Sequence, residues 1–271
     1  MLGRCVRRPA DWVRGMRRRD TLTREIRSMQ DKLKVLFLAS DPFRDGALLR
    51  LDRELRAIGR AIRRGRARDS VELVSHFATR VSELREAVLQ HQPHVVHFAA
   101  QGDAPGTICL ADENGHPQPL DREALRSLFG ALNHTVRVVV LNGGYTPETV
   151  EALSEVVDYS VGMNRPISDA SAIHFAEAFY TALAMGRNVL AAFELAVSQL
   201  ELEGNPDASI PLRRIRRGVN LDLPLVARPA EAAEGPRPPG RENGPRPPGG
   251  PGAQASQHGH RGRGFTLRIV G

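Results

Sequence analysis

The feature that most constrains the fold is an alternation running from residue 34 to residue 202. Short, wholly apolar segments take turns with longer segments that are apolar at every third or fourth position. Val35-Leu36-Phe37-Leu38-Ala39 stops at the turn signal Ser40-Asp41-Pro42, the pattern of a buried strand. The stretch from about residue 48 to 64 then sets Leu51, Leu55, Ile58 and Ile62 on one helical face. The cycle repeats with a strand over 71–77, a helix over 82–90 with Leu84, Val88 and Leu89 inward, and a strand over 94–100 opened by Pro93. Segments 107–110 and 118–120, flanking Glu113-Asn114-Gly115, read as a small hairpin. Asp121 caps a helix to residue 132, and 136–141 is apolar throughout, as a strand covered on both faces must be. Thr146 as N-cap and Pro147 at the first helical position open a helix to about residue 156. A strand over 159–163 and helices over 169–185 and 189–202 close the series. Parallel strands joined by right-handed helical crossovers give a three-layer α/β/α sandwich with a mainly parallel central sheet.

The charge divides the chain into three. Residues 1–33 hold ten Lys/Arg against four Asp/Glu, and residues 205–271 hold eleven against five; with +7 in total, the body over 34–204 carries −5. We therefore expect a basic N-terminal arm with a helical stripe of Leu22, Ile26, Met29 and Leu33, an acidic globular body, and a basic Pro/Gly-rich tail. Residues 235–264 contain sixteen Gly or Pro and no Ile, Leu, Val or Phe, so they cannot build a core. The final Phe265-Thr266-Leu267-Arg268-Ile269-Val270 alternates like a strand, and we read it as a frayed terminus in preference to an added sheet edge. Two isolated cysteines, Cys5 and Cys109, point to a reducing compartment, with no metal site and no cofactor expected. No apolar run reaches spanning length, so the expectation is a cytoplasmic protein with no membrane partner.

In an open parallel sheet a site lies beyond the carboxyl ends of the strands. Two ends stand out, His97-Phe98-Ala99-Ala100-Gln101-Gly102 and Asn142-Gly143-Gly144-Tyr145-Thr146. The runs over 34–42, Pro93-His94-Val95-Val96-His97-Phe98, Val138-Val139-Val140-Leu141-Asn142 and Val157-Asp158-Tyr159-Ser160-Val161-Gly162-Met163 resemble bacterial caspase-like proteins of the CHAT and peptidase C14 type. The resemblance implies a caspase-like fold over 34–204 and, in members that cut peptides, a His after the third strand and a Cys shortly after the Asn that ends the fourth. It places that His on Gln101 and that Cys on Gly144. Glutamine takes no proton near neutral pH and glycine offers no nucleophile.

Among neighbours, His97 lies on the strand itself and reads as a core histidine in preference to a shifted base; Cys109 reads as a small buried hydrophobe. Tyr145 and Thr146 bring hydroxyls near, the latter already used as a cap. The resemblance also suggests an acid at the base of a pocket for a basic side chain. Asp169 is the candidate, with Asp158 weighed beside it, although Asp169 or Ser168 also reads as a helix N-cap. The expectation is a domain without peptidase activity that binds a protein or peptide through Gln101, Gly102, Gly144, Tyr145 and Asp169, as regulator or scaffold; a bacterial stress, defence or signalling setting is what the resemblance alone implies. An active cysteine endopeptidase with displaced or partner-supplied groups is the alternative. A second alternative is a nucleic-acid adaptor working weakly through Arg17-Arg18-Arg19 and Arg213-Arg214-Ile215-Arg216-Arg217.

Overall fold

A computed structural model describes residues 32–42, 51–100, 107–132, 134–143, 146–222, 225 and 267–270, the last four as backbone alone. The expectations for Gln101, Gly102, Gly144 and Tyr145 fall outside the described residues, as do those for Arg17–Arg19, for Leu22, Ile26 and Met29, and for the tract 235–264.

Strands β1 (Leu33–Ser40), β2 (Val71–His76), β3 (Val95–Ala100), β6 (Val138–Leu141) and β7 (Tyr159–Met163) form the parallel centre of a seven-stranded sheet. Its order is β8-β7-β6-β3-β1-β2-β9, where β8 (Pro211–Ile215) is antiparallel to β7 and β9 (Leu267–Val270) is parallel to β2. The hairpin is β4 (Ile108–Ala111) with β5 (Pro117–Leu120), and it buries Cys109 completely. One face of the sheet is covered by α1 (Leu51–Arg64), α5 (Asp169–Ala184) and α6 (Val189–Leu202); the other by α2 (Val81–His91), α3 (Arg122–Ala131) and α4 (Pro147–Leu153).

Strand periodicity builds both cores at once. Val35, Phe37 and Ala39 of β1 face the α1/α5/α6 layer, where Ile58, Phe175, Phe179 and Phe193 pack, while Leu36 and Leu38 face Leu84, Val88, Phe98 and Phe129. Strands buried on both faces are apolar where they are covered, and this one is from Val35 to Ala39. Glycines admit the closest approaches. A Cβ on Gly162 of β7 would lie 2.4 Å from the Thr146 hydroxyl and 2.5 Å from Val150, so α4 sits directly on the bare strand backbone.

Several local readings are corrected. Leu33 begins β1 and does not continue a helical stripe, and Leu89 faces solvent at 53% exposure, one position off the buried arc of α2. The C-terminal alternation is no frayed end: Leu73↔Leu267 to His76↔Val270 extend the sheet at the β2 edge. The sheet also runs past residue 204, because β8 pairs Tyr159 with Ile215 and Met163 with Pro211. Its half-exposed edge position tolerates Arg213 and Arg214, which is why apolar periodicity did not mark it.

Candidate ligand cleft

The carboxyl ends of β3 and β6, with the start of α5, enclose a small cleft. A volume of about 30 Å³, enough for a group the size of a water molecule or an ammonium, is lined by Glu54, Ala100, Asn142, Gly143 and Asp169, with Leu51, Ile167 and Ile173 as aliphatic walls. Gly143 has φ +147°, and a Cβ there would lie 2.7 Å from the Ala100 carbonyl oxygen, so the β6 turn crosses the end of β3 at backbone distance.

Beneath the cleft runs a buried polar chain. Tyr180 is fully enclosed and burial pushes its phenol pKa well up, so it keeps its proton and its O–H can donate to His97 Nδ1 at 3.1 Å. That leaves His97 Nε2–H to donate to Glu54 Oε1 at 2.8 Å. The Asn142 amide donates to the same oxygen and to the Ala172 carbonyl at 3.0 Å. Both of these partners are acceptors, so the amide orientation is fixed and Asn142 Oδ1 faces away from them, with no hydrogen-bond partner among the described residues. Asn142 is 3% exposed, and a buried, unpaired acceptor costs about 1–3 kcal/mol. The oxygen belongs to a residue lining the cleft beside two carboxyl side chains, an arrangement that accepts hydrogen bonds from a ligand.

His97 is 0% exposed, stacked on the Phe37 ring at 5.2 Å, and committed through both nitrogens, which places it in the core and away from any reacting bond. Glu54 is the residue that sequence reasoning missed. Its signal was present: position 54 lies three after Leu51 and four before Ile58, an acid on the apolar stripe of α1.

The remaining candidates separate. Ser168 is the N-cap of α5, accepting from Ser171 N–H, and Asp169 is the first helical residue with its side chain at the cleft. Thr146 occupies the N-cap position of α4, but its hydroxyl accepts from the Met163 N–H at 3.1 Å and does not cap. Asp158 stands at the opposite end of the sheet, held by Arg137 at 2.7 Å and Arg216 at 2.6 Å. Burial raises its carboxyl pKa, but the Arg216 and Arg137 guanidiniums outweigh burial and leave it below the ordinary range. Three arginines on β8 and just after it are thereby paired: Arg213 meets Glu194, Arg214 meets Glu151 and Arg216 meets Asp158. No group of three or more His, Cys, Asp or Glu able to hold a metal occurs among the described residues, and no helix there is long and apolar enough to cross a membrane.

Comparison with solved structures finds a likeness to caspase-1 from Spodoptera frugiperda, at 11% identity and a TM-score of 0.49, covering 74% of this chain and 91% of that one. A comparison with curated proteins returns no match. The CHAT domain model matches residues 13–212, well over half of the chain, and takes in β1 to β7, both helical layers and the cleft. The chain belongs to the CHAT domain family, a family related to peptidases.

Proposed function

We propose that this CHAT domain binds a peptide through a basic side chain inserted in the cleft, without cutting it. The observation that carries the reading is that Glu54, Asp169 and Asn142, whose Oδ1 is buried and without a hydrogen-bond partner among the described residues, line one space of ammonium size. Leu51, Ile167 and Ile173 suit the methylene stem of a lysine, whose charged head would reach the acceptors. A cation there would satisfy the orphaned oxygen and pair with carboxylates partly withdrawn from water, where each bond to a charged donor contributes more than a neutral one.

Hydrolysis needs a nucleophile and a base. At the positions that the family resemblance gives them, the sequence holds Gly144 and Gln101, and the two nearest alternatives, His97 and Cys109, are buried and engaged in the core. Binding without turnover suits a regulator or scaffold that recognises a basic peptide segment.

Fluorescence anisotropy with a labelled peptide tests the reading. A lysine peptide is expected to bind at least tenfold more tightly than the same peptide with norleucine, which keeps the stem and lacks the charge, and Asp169→Asn should narrow the gap. Equal affinity for the two peptides would reject the cleft as a cation site.

A further inference from the structure

The strongest charge feature among the described residues lies on α1 and the turn that follows it. Between Leu51 and Ser70 there are seven arginines and no lysine, against Asp52, Glu54 and Asp69. Glu54 points inward to His97, and all seven arginines, 53, 56, 60, 63, 64, 66 and 68, are exposed. This stands on a body whose net charge over 34–204 is −5, so the helix is a local reversal of sign.

The arrangement is ordered. At about 100° per residue, positions 53, 56, 60, 63 and 64 fall within an arc roughly 100° wide, opposite the buried Leu55, Ile58 and Ile62. They span eleven residues of rise, about 16 Å. Part of this charge is engaged: Arg56 pairs with the exposed Asp52, Arg60 lies 3.8 Å from Glu177, and Arg63 also has a partner. Arg53 and Arg64 have no acidic partner among the described residues. Asp169, His174 and Glu177 of α5 border one side of the stripe, leaving its outward side to the arginines.

We infer that this stripe binds the phosphodiester backbone of a nucleic-acid duplex without reading its sequence. Arginine's planar fork matches phosphate oxygens. A duplex carries one charge per about 1.7 Å of axis, so a 16 Å stripe faces about ten charges, half of them on the nearer strand. A protein partner would be expected to find an apolar anchor at the centre of the patch. None is present: between Arg53 and Arg68 every residue that is not arginine is buried, and the exposed large hydrophobics among the described residues, Leu89, Met185, Leu195 and Leu202, lie on other helices or at their ends. The stripe has no exposed aromatic, Asn or Gln with which to read a base. The site lies apart from the arginine clusters marked in the sequence, of which Arg213, Arg214 and Arg216 are paired with acids. The inference does not rest on the lysine cleft, which lies next to the stripe and shares Asp169 with its border.

The test is anisotropy of a labelled 20-base-pair duplex with the full chain over a range of salt concentrations. The variants are Arg53→Gln/Arg56→Gln/Arg60→Gln/Arg64→Gln, the same four changed to Lys, and a chain lacking residues 1–31. The Gln variant should bind at least about tenfold more weakly near 0.1 M salt, with its log–log salt slope reduced by about 2–4, at about 0.9 per phosphate contact. The Lys variant should keep the slope, which separates lost charge from lost folding, and a second duplex of unrelated sequence should bind equally. Three results would overturn the inference: unchanged binding by the Gln variant while removal of 1–31 abolishes it, competition by poly-glutamate equal to that by duplex at the same charge, or no binding by the unmodified chain.

Discussion

Glu54 is the residue on which the cleft floor rests, and its removal has a calculable consequence. In Glu54→Ala, His97 Nε2–H and one Asn142 N–H lose their acceptor while staying buried; the other Asn142 N–H keeps the Ala172 carbonyl. Two stranded donors at about 1–3 kcal/mol each give about 2–6 kcal/mol. Removing a desolvated carboxylate gives some of this back, so the lower half of that range, about 2–4 kcal/mol, is expected. Glu54→Gln retains a carbonyl that can accept both donors and loses only the charge assistance, about 1 kcal/mol. Urea unfolding followed by circular dichroism reads the difference: with a slope of about 2–3 kcal/mol/M, Glu54→Ala should lower the midpoint by about 1 M and Glu54→Gln by about 0.4 M. In a cycle with His97→Phe, which keeps a ring over Phe37, the Glu54 and His97 effects should couple by about 1–3 kcal/mol. A Glu54→Ala shift below about 0.2 M, or strict additivity in the cycle, would refute the network as drawn.

Gly162→Ala should cost at least about 2 kcal/mol in thermal unfolding, because its Cβ would overlap both the Thr146 hydroxyl and Val150; a melting point within a degree of the unmodified protein would show that α4 does not sit on β7 as described. Asp158 has a folded pKa below its unfolded value, so its contribution is full above about pH 4 and is lost as pH falls through the folded value. Asp158→Asn should therefore flatten the loss of stability below pH 4 and lower stability at pH 7, and an unchanged acid limb would contradict the Arg137 and Arg216 pairing. Deleting residues 265–271 should leave the body folded but abolish slow hydrogen exchange of amides along the outer edge of β2, whose pairing with β9 it removes; retained protection would place β9 elsewhere.

Much of this architecture was legible because it rests on periodicity. Strands apolar on both faces, β1 and β6 above all, can only be central in a layered α/β fold, and α6 at Val189–Leu202 and β7 at Tyr159–Met163 fall where the pattern puts them. The edges were harder to read, since β8 and β9 are short and carry arginine, and an edge strand is defined by the neighbour it finds more than by its own composition. The site was legible in place but not in content. The ends of β3 and β6 do frame the cleft and Asp169 does line it, whereas Glu54 comes from a helix 88 positions before Asn142, a juxtaposition that only the packing of α1 against α5 creates. Thr146 shows the same limit on a smaller scale: the cap position was right, yet its hydroxyl is drawn to a strand 17 residues away.

The claim that the cleft binds and does not cut is tested most directly by incubating the unmodified full chain with a pool of lysine- and arginine-containing peptides and following both retention and mass. The account predicts that lysine peptides are retained on the protein, released by Glu54→Gln combined with Asp169→Asn, and recovered intact by mass spectrometry after prolonged incubation. Peptides recovered cleaved at a lysine or arginine by the unmodified protein, and left whole when His97 or Cys109 is changed, would contradict it.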